Sequence, residues 1–294
     1  MIDVDLEGVE PRLVADYRCV VGEGPVWHPD ERALYWLDIP EGKIFRYSPA
    51  TGKHEIVYDG RPVGGMTLQE DGSFLLFMDR GSIAVWRGGS ELDFVVDQIE
   101  RELDSRFNDV IADPMGRVFC GTMTSPGHPG NLYRLDTDGS LRVVVPHTGT
   151  PNGLGFTGDR RHMFFTDTGH REIYRFEYDE ETGEISGKVT FATSPAEGDG
   201  KPDGMTVDSE DHVWSARWDG WILARHAPDG SEDLRIAFPA KKISSVTFGG
   251  DDLTDIYVTS AGGQDRKENG AAAGALFHFN IGLPGRPEFR SRVN

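Results

Sequence analysis

Oxygen-bearing side chains recur at matching places in this chain, just ahead of strand-like runs. They are Glu23 in Gly22-Glu23-Gly24-Pro25, Asn108 in Arg106-Phe107-Asn108-Asp109, Asn152 in Thr150-Pro151-Asn152-Gly153-Leu154, and Asp203 in Pro202-Asp203-Gly204-Met205. Two carboxylates and two carboxamides are hard ligands, with no thiolate or imidazole among them. Such a set favours Ca²⁺, Mg²⁺ or Mn²⁺ and admits Zn²⁺ or Fe²⁺. One divalent cation would offset the repulsion between Glu23 and Asp203, and Arg106 adds a guanidinium beside them. Taken singly, each residue has an ordinary reading. Asn152-Gly153 is a hairpin turn, Glu23 a surface charge and Arg106 an ion-pair partner. Asp203 sits on a constrained turn in which Pro202 fixes φ and Gly204 is open to angles that other residues avoid. Their shared phase in four repeats is what points to one metal site.

The elements that position these residues are strands. Helical periodicity is nearly absent, and short β-branched and aromatic runs bounded by Gly, Pro and Asp fill the chain. One unit runs from Val26-Trp27-His28 through the turn Pro29-Asp30-Glu31-Arg32 to Ala33-Leu34-Tyr35-Trp36-Leu37-Asp38-Ile39, then Lys43-Ile44-Phe45-Arg46-Tyr47. Similar units begin near Asp71, Asp113, Gly158, Asp208 and Gly249. The period of roughly 41 to 50 residues is that of propeller blades. A blade cannot bury both faces alone, so stacking blades in a ring makes a continuous core and protects the edges. The expectation is an all-β, six-bladed β-propeller formed as a single domain by residues 1–294, with Arg12-Leu13-Val14-Ala15-Asp16 closing the ring as the outer strand of the last blade. The Gly- and Ala-rich stretch 261–274 is expected to be a mobile loop. Trp218 and Met123 read as core and His170 as an exposed loop residue.

Composition narrows the partners. The chain has 294 residues and a formal net charge of -19, with a pI near 4.8. It repels phosphate backbones and anionic bilayers, so neither nucleic acid nor membrane is an expected partner. The N-terminus has no basic and apolar leader, no apolar run reaches membrane length, and Cys19 and Cys120 form no metal or redox pair. A reducing cytoplasm fits these features, and a closed ring needs no partner, which suits a monomer or weak homo-oligomer. No nucleophile elbow, His-Glu-x-x-His or phosphate-binding loop is present in the sequence.

Six segments, in order, resemble the signature of the SMP-30/gluconolactonase/regucalcin-like family. They are Gly22-Glu23-Gly24-Pro25-Val26-Trp27, Arg106-Phe107-Asn108-Asp109, Gly121-Thr122-Met123, Asn152-Gly153-Leu154, Pro202-Asp203-Gly204-Met205 and Ser244-Ser245-Val246-Thr247-Phe248-Gly249-Gly250. The resemblance implies one divalent metal held by Glu23, Asn152 and Asp203, with Arg106 and Asn108 binding substrate and Asn108 close to or on the metal. It also implies hydrolysis of a sugar lactone such as glucono-, xylono- or arabinolactone. Metal chemistry then allows Asp203 to orient or deprotonate the attacking water, with a metal-bound hydroxide as the competing nucleophile. Where animal regucalcins carry a substrate-contacting Glu after Gly-Thr-Met, this chain reads Thr124-Ser125-Pro126-Gly127. Phosphotriester hydrolysis at the same cation and a non-catalytic calcium-binding propeller are the alternative expectations.

Overall fold

Residues 9–195 and 198–293 are described by a computed structural model, in which six four-stranded sheets follow one another along the chain. The innermost strands are Gly22–His28, Val63–Leu68, Phe107–Ala112, Pro151–Phe156, Lys201–Val207 and Lys242–Gly249. Residues from all six line one central channel, so the sheets are the blades of a six-bladed β-propeller. The sixth blade is completed by Arg12–Asp16, paired antiparallel with Ala275–Asn280 as its outermost strand. The ring therefore closes with the N-terminal strand, as the sequence implies.

The continuous apolar runs follow from burial on both faces, because alternate side chains of one strand enter different blade interfaces. In Ala33–Asp38, Tyr35 and Leu37 pack toward the second blade, while Leu34 and Trp36 pack toward the sixth. In Phe74–Met78, Leu76 and Met78 face the first blade, and Leu75 and Phe77 the third. Each neighbouring pair of blades has its own apolar cluster; among the described residues, the one between the fourth and fifth has Phe164, Ile173, Met205, Val207 and Val213 as its buried members, with Phe191 and Ala192 packed against them.

Stretch 261–274 is not a loose loop. Asp265 caps a short helix, Arg266–Asn269, by accepting from Glu268 N–H, and Ala272 and Ala273 are buried in the cluster between blades five and six. Its small residues allow close packing: a Cβ on Gly274 would come 2.5 Å from Cys19 N.

A second feature has no sequence signal. Residues 282–293 cross the end of the channel where the innermost strands finish, touching every blade. Gly285 N–H donates to Leu253 O at 2.8 Å, Ser209 N–H to Pro284 O at 3.0 Å, and Arg292 N–H to Gly116 O at 2.9 Å. The Phe289 ring lies 6.0 Å from that of Phe156, and Arg290 reaches Asp30 at 2.7 Å. Ser291 N–H donates to Leu68 O at 2.9 Å, and its carbonyl accepts from Glu70 N–H at 3.0 Å. Gln69 exchanges two hydrogen bonds with the Val293 backbone, at 3.0 and 3.1 Å.

Candidate active site

The candidate residues gather at the opposite mouth, where the innermost strands begin. Each of those strands slips register near its start: between Glu23 and Val26, Val63 and Gly65, Phe107 and Val110, Pro151 and Leu154, Pro202 and Met205, and Ile243 and Ser245. A bulge re-aims side chains that a regular pleat would send to alternate faces. The corresponding positions, one per blade, are Glu23, Gly64, Asn108, Asn152, Asp203 and Ser244. Gly64 has no side chain, and Ser244 Oγ is committed to Gly22 O and Thr259 Oγ1, at 2.5 and 3.0 Å. That leaves the four oxygen-bearing side chains singled out from the sequence.

The turn expected at Pro202-Asp203-Gly204 is instead a strand, and so is Pro151-Asn152-Gly153. Gly204 is required by proximity and not by turn geometry: a Cβ there would lie 2.6 Å from Ser245 Cβ in the sixth blade. Turn-type residues thus mark the places where innermost strands bulge and crowd together.

Glu23, Asn108, Asn152 and Asp203 are all buried. Glu23 Oε2 accepts from Gly24 N–H at 2.8 Å. Asn108 Nδ2 donates to Pro151 O at 2.8 Å and to Asn152 Oδ1 at 3.0 Å, while its Oδ1 accepts from Arg106 Nη1 at 2.7 Å. Both Asn108 amide protons are thereby used, so it fixes Asn152 and Arg106 and offers no spare donor. Asn152 Nδ2 donates to Thr168 Oγ1 at 2.8 Å, and that hydroxyl donates to Pro202 O at 2.6 Å. Thr168 ties the fourth and fifth blades together at the site, a role that nothing in its sequence context indicates.

Asp109 is the residue that sequence reasoning passed over. Regular alternation would turn it away from Asn108, but the bulge leaves it lining the channel. Burial, then repulsion from Asp109 and Asp203, raises the Glu23 carboxyl well above its usual range. Burial and Asp109 do the same to Asp203, against the pull of Arg106. Burial pushes Asp109 up to about 7, also opposed by Arg106. Three carboxyls thus share one guanidinium, whose own pKa is lowered by burial.

A divalent cation fits this donor set. Asp203 Oδ2 is buried without a hydrogen-bond partner among the described residues, and an orphaned buried carboxylate oxygen is costly unless a charge meets it. Among the described residues no group of three His, Cys, Asp or Glu side chains could hold a metal, so a centre here needs the carboxamide of Asn152 beside Glu23 and Asp203. Of the other residues considered, Trp218 is half-buried with the Lys242 ammonium 4.5 Å from its ring centre, and Met123 is half-buried. His170 is exposed, with its Nδ1 2.8 Å from Asp167.

A propeller whose polar residues converge at one mouth and whose other mouth is crossed by its own C-terminal segment defines the class of protein. The chain belongs to the SMP-30/Gluconolactonase/LRE-like family, whose sequence profile matches residues 21–262. It is 50% identical over 289 residues to the pentonolactonase XacC of Haloferax volcanii, covering 95% of this chain and 97% of that protein. It is 31% identical over 279 residues to a 6-deoxy-6-sulfogluconolactonase of Pseudomonas putida, covering 92% and 94%. Among solved structures, a luciferin-regenerating enzyme superposes with a TM-score of 0.88 at 27% identity, over 97% of this chain and 100% of that one.

Proposed function

We propose that this protein is a metal-dependent hydrolase that opens sugar lactones to aldonic acids. The observation that carries the proposal is the unpartnered, buried Asp203 Oδ2, set with Glu23 and Asp109 at the channel mouth. The likeness to a pentonolactonase over nearly the whole chain supports the choice of substrate class and favours five-carbon lactones.

Glu23, Asn152 and Asp203 would hold the divalent ion, which when bound supplies Lewis acidity to the lactone carbonyl. Asp203, anchored on a bulged strand, orients the attacking water and takes its proton, then returns a proton to the ring oxygen as it leaves. Arg106 uses Nη1 for Phe107 O and Asn108 Oδ1, at 2.8 and 2.7 Å, which fixes the guanidinium plane and leaves its remaining N–H groups for substrate oxygens. Asn108 holds Arg106 and Asn152 in register. Burial of these groups strengthens every charge interaction with the developing oxyanion.

Among the described residues no helix is long and apolar enough to cross a membrane, and both cysteines are free and buried. These features support the cytoplasm as the working compartment. The test is lactone opening, followed with a pH indicator, on protein stripped of metal and then given Ca²⁺, Mg²⁺, Mn²⁺, Zn²⁺ or Fe²⁺. Metal-restored turnover of pentonolactones above the spontaneous rate is expected. Metal-independent turnover, or none with any aldonolactone while the ion binds, contradicts the proposal.

A further inference from the structure

Two residues ahead of each site position, the innermost strand is met by a residue at the end of the second strand of its blade. In blade order these are Ile39, Asp79, Met123, Thr168, Trp218 and Ala261. Four of them carry neither hydroxyl nor charge, and Asp79 is taken by Arg61 Nη2 and Nε at 2.8 and 3.0 Å. Thr168 supplies the one hydroxyl of this ring. It is half-buried, and its backbone is fixed by donation from its N–H to Thr150 O at 3.0 Å.

The Thr168 hydroxyl closes a line of hydrogen bonds that begins at a guanidinium. Arg106 Nη1 donates to Asn108 Oδ1 at 2.7 Å, and Asn108 Nδ2 to Asn152 Oδ1 at 3.0 Å. Asn152 Nδ2 donates to Thr168 Oγ1 at 2.8 Å, and that hydroxyl to Pro202 O at 2.6 Å. A guanidinium can only donate and a backbone carbonyl can only accept, so the two ends dictate the direction of every bond between them. With its proton committed to Pro202 O, Thr168 can only accept from Asn152. The carboxamide is thereby turned so that Oδ1, with one lone pair on Asn108 and one to spare, is the atom open to an ion.

The same bond keeps a donor away from Asp203. Burial raises the Asp203 carboxyl, and Asn152 lies close enough to oppose that rise, while Asp203 Oδ2 has no hydrogen-bond partner among the described residues. A carboxamide released from Thr168 would turn Nδ2 to that oxygen, because a buried donor without an acceptor is costly. Two metal ligands would then be spent on each other.

We propose that Thr168 is a positioning residue that sets the orientation of the Asn152 carboxamide, leaving Asn152 Oδ1 and Asp203 Oδ2 free for the divalent ion. The inference rests on the metal-binding reading of this site. Hydrogen bonds that orient a metal ligand from behind weaken binding by about 10- to 100-fold when they are lost.

The test compares the wild type with Thr168→Val, which keeps the branched shape without the hydroxyl, and Thr168→Ser, which keeps the hydroxyl. Calorimetric titration with Mn²⁺ should give a dissociation constant raised about 10- to 100-fold in Thr168→Val and close to the wild-type value in Thr168→Ser. In metal-free crystals, the Asn152 side chain should rotate in Thr168→Val to within hydrogen-bonding distance of Asp203 Oδ2, and stay in place in Thr168→Ser. A purely structural Thr168 would lower the Tm of Thr168→Val and leave both readouts unchanged. Wild-type Mn²⁺ affinity in Thr168→Val, or an unmoved Asn152 in its crystals, therefore overturns the proposal. A wild type that takes up no Mn²⁺ contradicts the metal reading itself, and the metal-free crystals then decide the role of Thr168 alone. Should Thr168→Val fail to fold, neutron diffraction from wild-type crystals decides: a Thr168 hydroxyl deuterium directed at Asn152 instead of Pro202 O overturns the proposal, and one directed at Pro202 O supports it.

Discussion

The two ends of the channel are built on opposite principles. At the Asp203 end, polar groups are drawn together under strain: three carboxyls face one guanidinium, and a carboxylate oxygen is left without a partner. At the other end, residues 282–293 make hydrogen bonds and packing contacts with every blade, and Gln69 and the Val293 backbone satisfy one another in paired bonds. On the proposed function, one end gives up stability for chemistry, and the other restores it. Functional sites commonly carry local strain that the rest of the fold supports. Mutations at the two ends should therefore separate activity from stability.

The largest effect is expected from deleting residues 282–294. Loss of contacts to all six blades should lower Tm by more than 10 °C or leave the chain unfolded, an effect on the order of several kcal/mol by loss of packed and hydrogen-bonded groups. Circular dichroism melts measure this. A truncated protein with the wild-type Tm would remove the closing segment from the comparison.

Glu23→Gln should act in opposite senses on the two properties. Lactone turnover falls by about 10²-fold or more with the loss of a charged donor, while the metal-free protein melts higher because one buried repulsive carboxylate is gone. Gln69→Ala gives the mirror image. It strands a backbone donor and acceptor of Val293 and costs about 2–3 kcal/mol, with kcat unchanged. Parallel losses of stability and activity in both variants would show that the ends are not independent.

A smaller effect concerns pH. Burial pushes the folded pKa of Asp109 up to about 7. For an acid raised in the folded state, the unfolded chain ionises first. Stability is fully present below the unfolded pKa near 4, falls as pH rises toward 7, and levels above it. Added divalent cation should flatten this slope, and Asp109→Asn should flatten it without metal. Tm against pH, measured for the wild type with and without the ion and for the metal-free variant, checks both. The smallest effect is Arg290→Ala, whose ion pair with Asp30 is solvent-exposed and worth about 1 kcal/mol or less.

The propeller was legible because its signal is local and repeated. Runs such as Phe74-Leu75-Leu76-Phe77-Met78 are apolar at every position since both faces are buried, and six of them at one period leave little choice of architecture. Arg12–Asp16 could be assigned to the last blade for the same reason. The gathering of Glu23, Asn108, Asn152 and Asp203 was legible from their common phase. Their backbone was misjudged, because Pro, Asn and Gly favour turns and also mark bulges where strands crowd. Asp109 was hidden by the same bulge, which cancels the alternation that sequence reading relies on. The closing segment left no trace, since it has no periodicity and Ser291 meets Leu68 across more than two hundred residues of chain. Small residues in 261–274 suggested mobility and instead serve close packing.

The most direct measurement pairs calorimetric binding of a divalent ion with lactone turnover in Asp203→Ala. Both signals should be lost together, with turnover down by about 10³-fold or more, while the melting curve stays cooperative. An Asp203→Ala protein that still opens lactones at the wild-type rate would contradict the assignment of the site.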